Sequence, residues 1–322
     1  MNDVTAATPA ARMSLANVRK GRVSVPLRVL LYGVEGVGKS TFAAHAPKPI
    51  FIGADSGTEN LDIARLPEPR TWEEVFESVR LLQNEKHEYE TVVFDPLSFI
   101  EALCWDMLCA KNKWASMEDL DYGKCYAPAA DEWRRLLGEI ERLWMSKHMN
   151  VVLLDHARVK LYKNPVADDF DRFIMAMHEK SAAPLKRWCA FVLFATHEVA
   201  IHKDKQKRVR GLSDGSRVIK TEWSAAYDAK NRADLPAELP LSWDRFVDAV
   251  KGSVEREAAL RTQIAVGVEQ IGDPATTAKV AGYLKDAGDD VGRLAEIANA
   301  VQMKLGAKAD AEKTTTKEGT AT

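Results

Sequence analysis

Eight residues constrain this chain more than any other feature. Gly33-Val34-Glu35-Gly36-Val37-Gly38-Lys39-Ser40 fits the pattern G-x-x-x-x-G-K-[ST] without mismatch. The pattern carries meaning only between a buried strand and the start of a helix. Here it follows the apolar run Leu27–Tyr32 and precedes Thr41-Phe42-Ala43-Ala44-His45, which opens a helix. Glycine lets the backbone turn its N–H groups inward around a phosphate. Lys39 adds a point charge for the β- and γ-phosphates, and the Ser40 hydroxyl is a Mg²⁺ ligand. The helix that follows turns its N-terminal dipole toward the anion. Gly33, Gly36, Val37, Gly38, Lys39, Ser40 and Thr41 are therefore the candidate contacts to ATP and Mg²⁺.

The rest of the chain supplies the sheet that such a loop needs. Pro49–Gly53, Thr91–Asp95, Asn150–Leu154 and Trp188–Ala195 read as further strands. Thr91–Asp95 is almost all β-branched or aromatic without alternation, as expected of a strand covered on both faces. Trp72, Val75, Phe76, Val79 and Leu82 recur at helical spacing after the possible cap Thr71. Trp133, Leu136, Leu137, Ile140 and Leu143 mark a second helix, and Phe170–Lys186 reads as a third. Strand and helix alternate, which predicts an α/β fold with a mostly parallel central sheet. His197–Lys203 and Arg217–Trp223 read as two strands of an appended β-hairpin. The division expected is a flexible basic arm at 1–22, a core at 23–250, a small helical segment at 251–305 and a disordered tail at 306–322.

Composition excludes several classes. With 45 basic and 47 acidic side chains the net charge is −2, so a wholesale basic nucleic-acid wrapper is excluded while local basic patches are not. Trp188–Ala195, the longest strongly apolar stretch, is far short of the ~20 residues that span a bilayer. The first residues lack the apolar core of a secretory signal. Cys104, Cys109, Cys125 and Cys189 form no CxxC pair, consistent with reduced thiols in a cytoplasmic protein that has no membrane partner.

Asp95 ends an apolar strand and is the natural second half of the metal site, holding Mg²⁺ through its water shell. Hydrolysis also needs a group that orients or deprotonates water. Asp55 and Glu59, after the second strand, are the candidates, with Asp55 nearer the strand; either could instead cap the turn. His156, at the end of the fourth strand, is placed to sense the γ-phosphate or to serve structure alone.

Together, GVEGVGKST, ADSGT, TVVFDPLS, NVVLLDHARV, the FDRFI…HEKSAAPLKRWCAFVLFATHE stretch and RVIKTEWSAAYDAKNRADLP resemble the RecA-like P-loop ATPases encoded by phages, in particular the single-strand-annealing (Sak-type) recombinase group, described as phage AAA-type nucleotide-binding proteins. The resemblance spans roughly residues 25–245. It implies a RecA-like core, ATP-dependent work on single-stranded DNA in annealing or strand exchange, head-to-tail rings or filaments, and the cytoplasm of a phage-infected bacterial host. This chain carries Asp55 where that family usually has a glutamate near a glycine.

Lys230-Asn231-Arg232 resembles a Lys-Asn-Arg motif of RecA-related proteins, whose basic residues serve the nucleotide or DNA between subunits; Lys230 and Arg232 could equally sit on a solvated turn. Two basic tracts qualify as DNA contacts or as solvated faces: Arg158, Lys160, Tyr162 and Lys163, and Lys203, Lys205, Lys207, Arg208 and Arg210. The C-terminal segment shows no chemistry, and packing, oligomer contacts or a partner such as a single-strand-binding protein are its open roles. A helicase or helicase loader on the same fold, and a nucleotide-gated scaffold, are the alternative functions.

Overall fold

The computed structural model describes residues 25–53, 58–119, 123–198, 200–203, 209–212, 215–288 and 290–318, so the arm expected at 1–22 lies outside the described residues. Strand β1 (Arg28–Gly33) is buried from its second residue to its last. Its side chains are apolar on both faces, so it can only sit inside a sheet that is covered twice. It pairs in parallel with β5 (Asn150–Tyr162) on one side and β7 (Phe191–His197) on the other. Beyond β5 come β4 (Thr91–Phe94), β2 (Pro49–Ile52) and the short β3 (Ala64–Arg65), all parallel. Beyond β7, β10 (Arg217–Lys220) and β11 (Glu238–Pro240) add antiparallel strands. The order is β11-β10-β7-β1-β5-β4-β2-β3.

Alternate residues of each strand enter different cores. Leu30 and Tyr32 join the larger one, with α2 (Trp72–Asn84), α3 (Leu97–Asn112), α4 (Tyr126–Lys147) and α5 (Glu179–Trp188). Val29 and Leu31 join the other, with α1 (Lys39–Ala44) and the start of α6 (Trp243–Ile271). Helix α2 buries the five residues whose spacing predicts it, and the Thr71 hydroxyl caps it by accepting from the Glu74 amide at 3.2 Å. The sheet and its flanking helices match the expected α/β class.

Three local readings are corrected. Phe170–Lys186 is not one helix: Phe170–Met175 is strand β6, antiparallel to an extension of β5, and only Glu179–Trp188 is helical. Pairing with the exposed end of β5 outweighs helical spacing in a segment whose alternation (Phe170, Arg172, Ile174 against Asp171, Phe173, Met175) also fits a strand. The strands expected at 197–203 and 217–223 are redistributed. β10 does join the sheet, beside His197, whereas β8 (Ala200–Lys203) and β9 (Val209–Leu212) pair with each other in a separate ribbon. The tail expected to be disordered from 306 continues helix α8 (Val291–Glu318) as far as Glu318. Its Ala, Lys and Glu residues are strong helix formers.

Helix α6 serves two bodies at once. Trp243 and Phe246 pack on Phe42 of α1, with ring centroids 5.4 and 6.1 Å away. Its later residues Ile264 and Ile271 form a separate core with Val280 of α7 (Pro274–Ala287) and Leu294, Ala298 and Val301 of α8. The expected boundary at residue 250 therefore falls inside one helix.

The helices α6 and α8 approach closely at Gly267, where an added Cβ would lie 2.5 Å from Val301 Cγ1. Gly267→Ala is expected to cost about 1–3 kcal/mol through overpacking. Gly252→Ala, with nothing within 4 Å of the new methyl group, should instead stabilise by about 0.5–1 kcal/mol through helix propensity. Urea unfolding of the two variants checks the opposite signs.

Candidate functional site

The loop predicted from sequence leaves the carboxyl end of β1 and is seated against β7. At Gly33 an added Cβ would lie 2.1 Å from the Ala195 carbonyl oxygen, so only glycine lets the chain leave the sheet there. The Val34 amide donates to that same carbonyl at 3.3 Å. Gly38, at φ +102°, turns the backbone into α1. The Lys39 side chain is buried and its Nζ donates to the carbonyls of Gly33 and Val34, both at 3.1 Å. Its Nζ also lies 3.4 Å from Nδ1 of His156, the β5 residue paired with Gly33.

Ser40 and Asp95 meet directly. The Ser40 hydroxyl donates to Asp95 Oδ2 at 2.6 Å, and Asp95, immediately after β4, is buried. Gly53, just after β2, passes the same residue, with an added Cβ only 2.5 Å from the Asp95 carbonyl oxygen. One hydroxyl and one carboxylate, a bond length apart beneath a phosphate loop, fit a hard divalent cation whose remaining ligands are phosphate oxygens and water. Among the described residues no cluster of three His, Cys, Asp or Glu side chains would bind a metal without those extra oxygens. Val37 is buried, while Thr41, on the first turn of α1, is exposed. The residues present thus fit a nucleoside triphosphate with its cation.

The other predicted residues divide. Asp55 lies outside the described residues, and Glu59 is exposed on a turn beside the buried Thr58. Arg158, Lys160 and Tyr162 lie along the extension of β5 that continues past His156, and Lys163 follows it. Their alternation puts the three on one face of the β5–β6 hairpin, beside Phe170, Arg172 and Ile174. The sequence ends the fourth strand at Leu154; the structure carries it on to Tyr162. Lys160 pairs with Glu179. Lys203 and Arg210 belong to β8 and β9, and Lys205, Lys207 and Arg208 lie outside the described residues.

Lys230 bridges to Val192 of β7, and its Nζ donates to the Lys186 and Arg187 carbonyls at the end of α5, at 2.5 and 3.3 Å. Burial, then the neighbouring Arg232, lowers its pKa. Arg232 is exposed and repels Arg28, the first residue of β1. It therefore sits at the amino edge of the sheet, roughly 16 Å of strand away from Gly33.

Three buried or half-buried carboxylates escape a reading of the sequence. Asp155, fully buried, accepts from the amides of Ser98 and Met177, both at 3.1 Å, and burial raises its pKa despite those bonds. Glu101 accepts from the His178 amide at 2.7 Å, and burial pushes its pKa up to about 7. Asp228 takes Lys186 at 2.5 Å and Arg172 at 2.7 Å; burial opposes its ionisation, but the two cations outweigh burial and lower its pKa. The Asp228 amide and carbonyl both bond the Tyr32 hydroxyl, at 2.8 Å each, one residue before the loop begins. Asp155 follows an apolar run, as Asp95 does, and the sequence marks it in that way; nothing local marks Asp228.

A family model described as AAA domain matches residues 25–233, well over half of the 322 residues. Comparison with curated proteins returns no match.

Glu101 makes stability depend on pH. Its raised pKa contributes stability that is full below the ordinary value of 4.5 and is lost as pH rises to about 7. At roughly 1.4 kcal/mol per pH unit, the loss across that window is about 3 kcal/mol. Denaturant titration of wild type and Glu101→Gln should show the difference between them shrinking, or reversing in favour of the variant, over that range. A pH-independent difference would contradict the assignment.

Proposed function

Because the chain belongs to the AAA domain family of P-loop ATPases, we propose that it hydrolyses ATP to ADP and phosphate and uses the nucleotide to act on single-stranded DNA, in annealing or strand exchange during phage recombination. The observation that carries the nucleotide half is the Ser40–Asp95 hydrogen bond at the foot of a glycine-lined loop whose lysine is already in place. Gly36, Gly38 and the amides of Lys39, Ser40 and Thr41 bind the phosphates, Lys39 neutralises them, and Ser40 with Asp95 holds Mg²⁺. The bound cation supplies charge neutralisation on the phosphate oxygens. Asp55 or Glu59 orients the attacking water, and His156, beside the Lys39 ammonium, reports the γ-phosphate.

The DNA half is supported by the β5–β6 hairpin, which leaves the same edge of the sheet as the phosphate loop. Its Arg158, Lys160 and Tyr162 face offers cations and a ring that is 41% exposed. Arg172 lies over that ring, 5.5 Å from its centroid. A cleft of ≈ 550 Å³ runs between this face and α5, lined by Tyr162 and by the cations Lys160, Lys163, Arg172 and Lys186, which outnumber the carboxylates Glu179 and Asp228 paired with them there. A positive track with a stacking ring is what sequence-tolerant single-strand binding requires. Lys203, Lys205, Lys207, Arg208 and Arg210 are further DNA contacts in this reading. Arg232, at the amino edge, is too far from its own loop to serve it, which favours a head-to-tail assembly that brings it to a neighbour's nucleotide. A single-strand-binding protein is the partner proposed for the C-terminal helices.

Lys39→Ala and Asp95→Asn should each lower Mg²⁺-dependent ATP turnover by roughly a hundredfold or more while thermal unfolding stays cooperative. Turnover at wild-type rate in both variants would remove the ATPase assignment. Tyr162→Ala should weaken binding of a single-stranded oligonucleotide about tenfold, in line with ~1–3 kcal/mol per stacked base. Wild-type affinity that stays flat from low to moderate salt would remove the DNA assignment.

A further inference from the structure

Arg217 opens β10, and because β10 runs antiparallel to β7 its first residue lies at the carboxyl edge, opposite His197. Its side chain shares a face with Ile219, on the side of the sheet that α1 covers. The Leu241 amide donates to the Arg217 carbonyl at 2.9 Å, which fixes the backbone there. The guanidinium reaches the phosphate loop. Nη1 lies 2.8 Å from where a Cβ of Gly38 would stand and 3.4 Å from the Val37 carbonyl oxygen. Glycine at 38 therefore does two things: it turns the chain at φ +102° and it leaves room for an arginine from another strand.

The contact is a poor one for its own sake. It uses one of five donors, at the long end of hydrogen-bond range, and the side chain is exposed. One such bond to a neutral carbonyl hardly offsets the freedom lost in ordering a long side chain. The placement makes sense if an anion arrives at the loop. Lys39 approaches the loop through the Gly33 and Val34 carbonyls, and Arg217 approaches it through Val37 and Gly38. We infer that Arg217 is a second cation of the nucleotide site, contacting the phosphate chain of a bound nucleoside di- or triphosphate from the β10 side. The inference rests on the nucleotide reading above. It acts within one chain, and it sets affinity for ADP and ATP alike.

Equilibrium binding of Mg²⁺-ADP and Mg²⁺-ATP to the full chain, repeated over a range of salt, tests it with Arg217→Gln and Arg217→Lys. Arg217→Gln should weaken both nucleotides roughly tenfold and flatten the salt dependence, whereas Arg217→Lys should stay within about threefold of wild type. Wild-type affinity in Arg217→Gln overturns the inference. So does equal weakening in both variants with the wild-type salt dependence kept, since that pattern marks a packing role. Wild-type protein that binds neither nucleotide overturns the nucleotide reading together with it.

Discussion

The close approach of Gly33 to the Ala195 carbonyl sets where every phosphate-facing group can be. Because β1 leaves the sheet against β7, the loop that follows is held over the carboxyl edge rather than free in solvent. That edge is where β4 ends in Asp95 and β5 passes through His156. Ser40 then falls within hydrogen-bond distance of Asp95, and Lys39 beside His156, although 55 and 117 residues separate the pairs. Parallel strands with helical crossovers collect such residues at one edge because every strand ends on the same side.

The same edge carries a second structure that a parallel sheet does not require. β5 continues beyond His156 and pairs with β6, so the hairpin grows out of a strand that also borders the phosphate loop. Tyr32, the residue before the loop, bonds both main-chain polar groups of Asp228, whose carboxylate holds Arg172 of the hairpin and Lys186 of α5. Loop and hairpin therefore share one continuous set of buried or half-buried contacts. Arg232, by contrast, lies at the opposite edge.

The parts legible in the sequence were those dictated by local rules. The phosphate loop, the five buried parallel strands β1, β2, β4, β5 and β7, and α2 each follow from spacing or from residue types that only one conformation suits. Asp95 stood out because it ended such a strand. What stayed hidden depended on pairing at a distance. β6 reads as helical until the exposed end of β5 is there to receive it, and Arg217 is an ordinary strand residue until β10 is set beside β7. Asp228 lies in a turn with no periodic signal, and its partners are 42, 56 and 196 residues away. The end of α8 beyond Leu305 is hidden for another reason: the apolar stripe of Leu294, Ala298 and Val301 stops there, so a reading guided by apolar spacing ends the helix with it.

Isothermal titration of ATP and of ADP into the full chain, with and without Mg²⁺, tests the central claim most directly. Saturable uptake of both nucleotides, strengthened several-fold for ATP by the cation and abolished by Lys39→Ala, is the result this geometry predicts. Well-folded protein that takes up neither nucleotide in the presence of Mg²⁺ would contradict it.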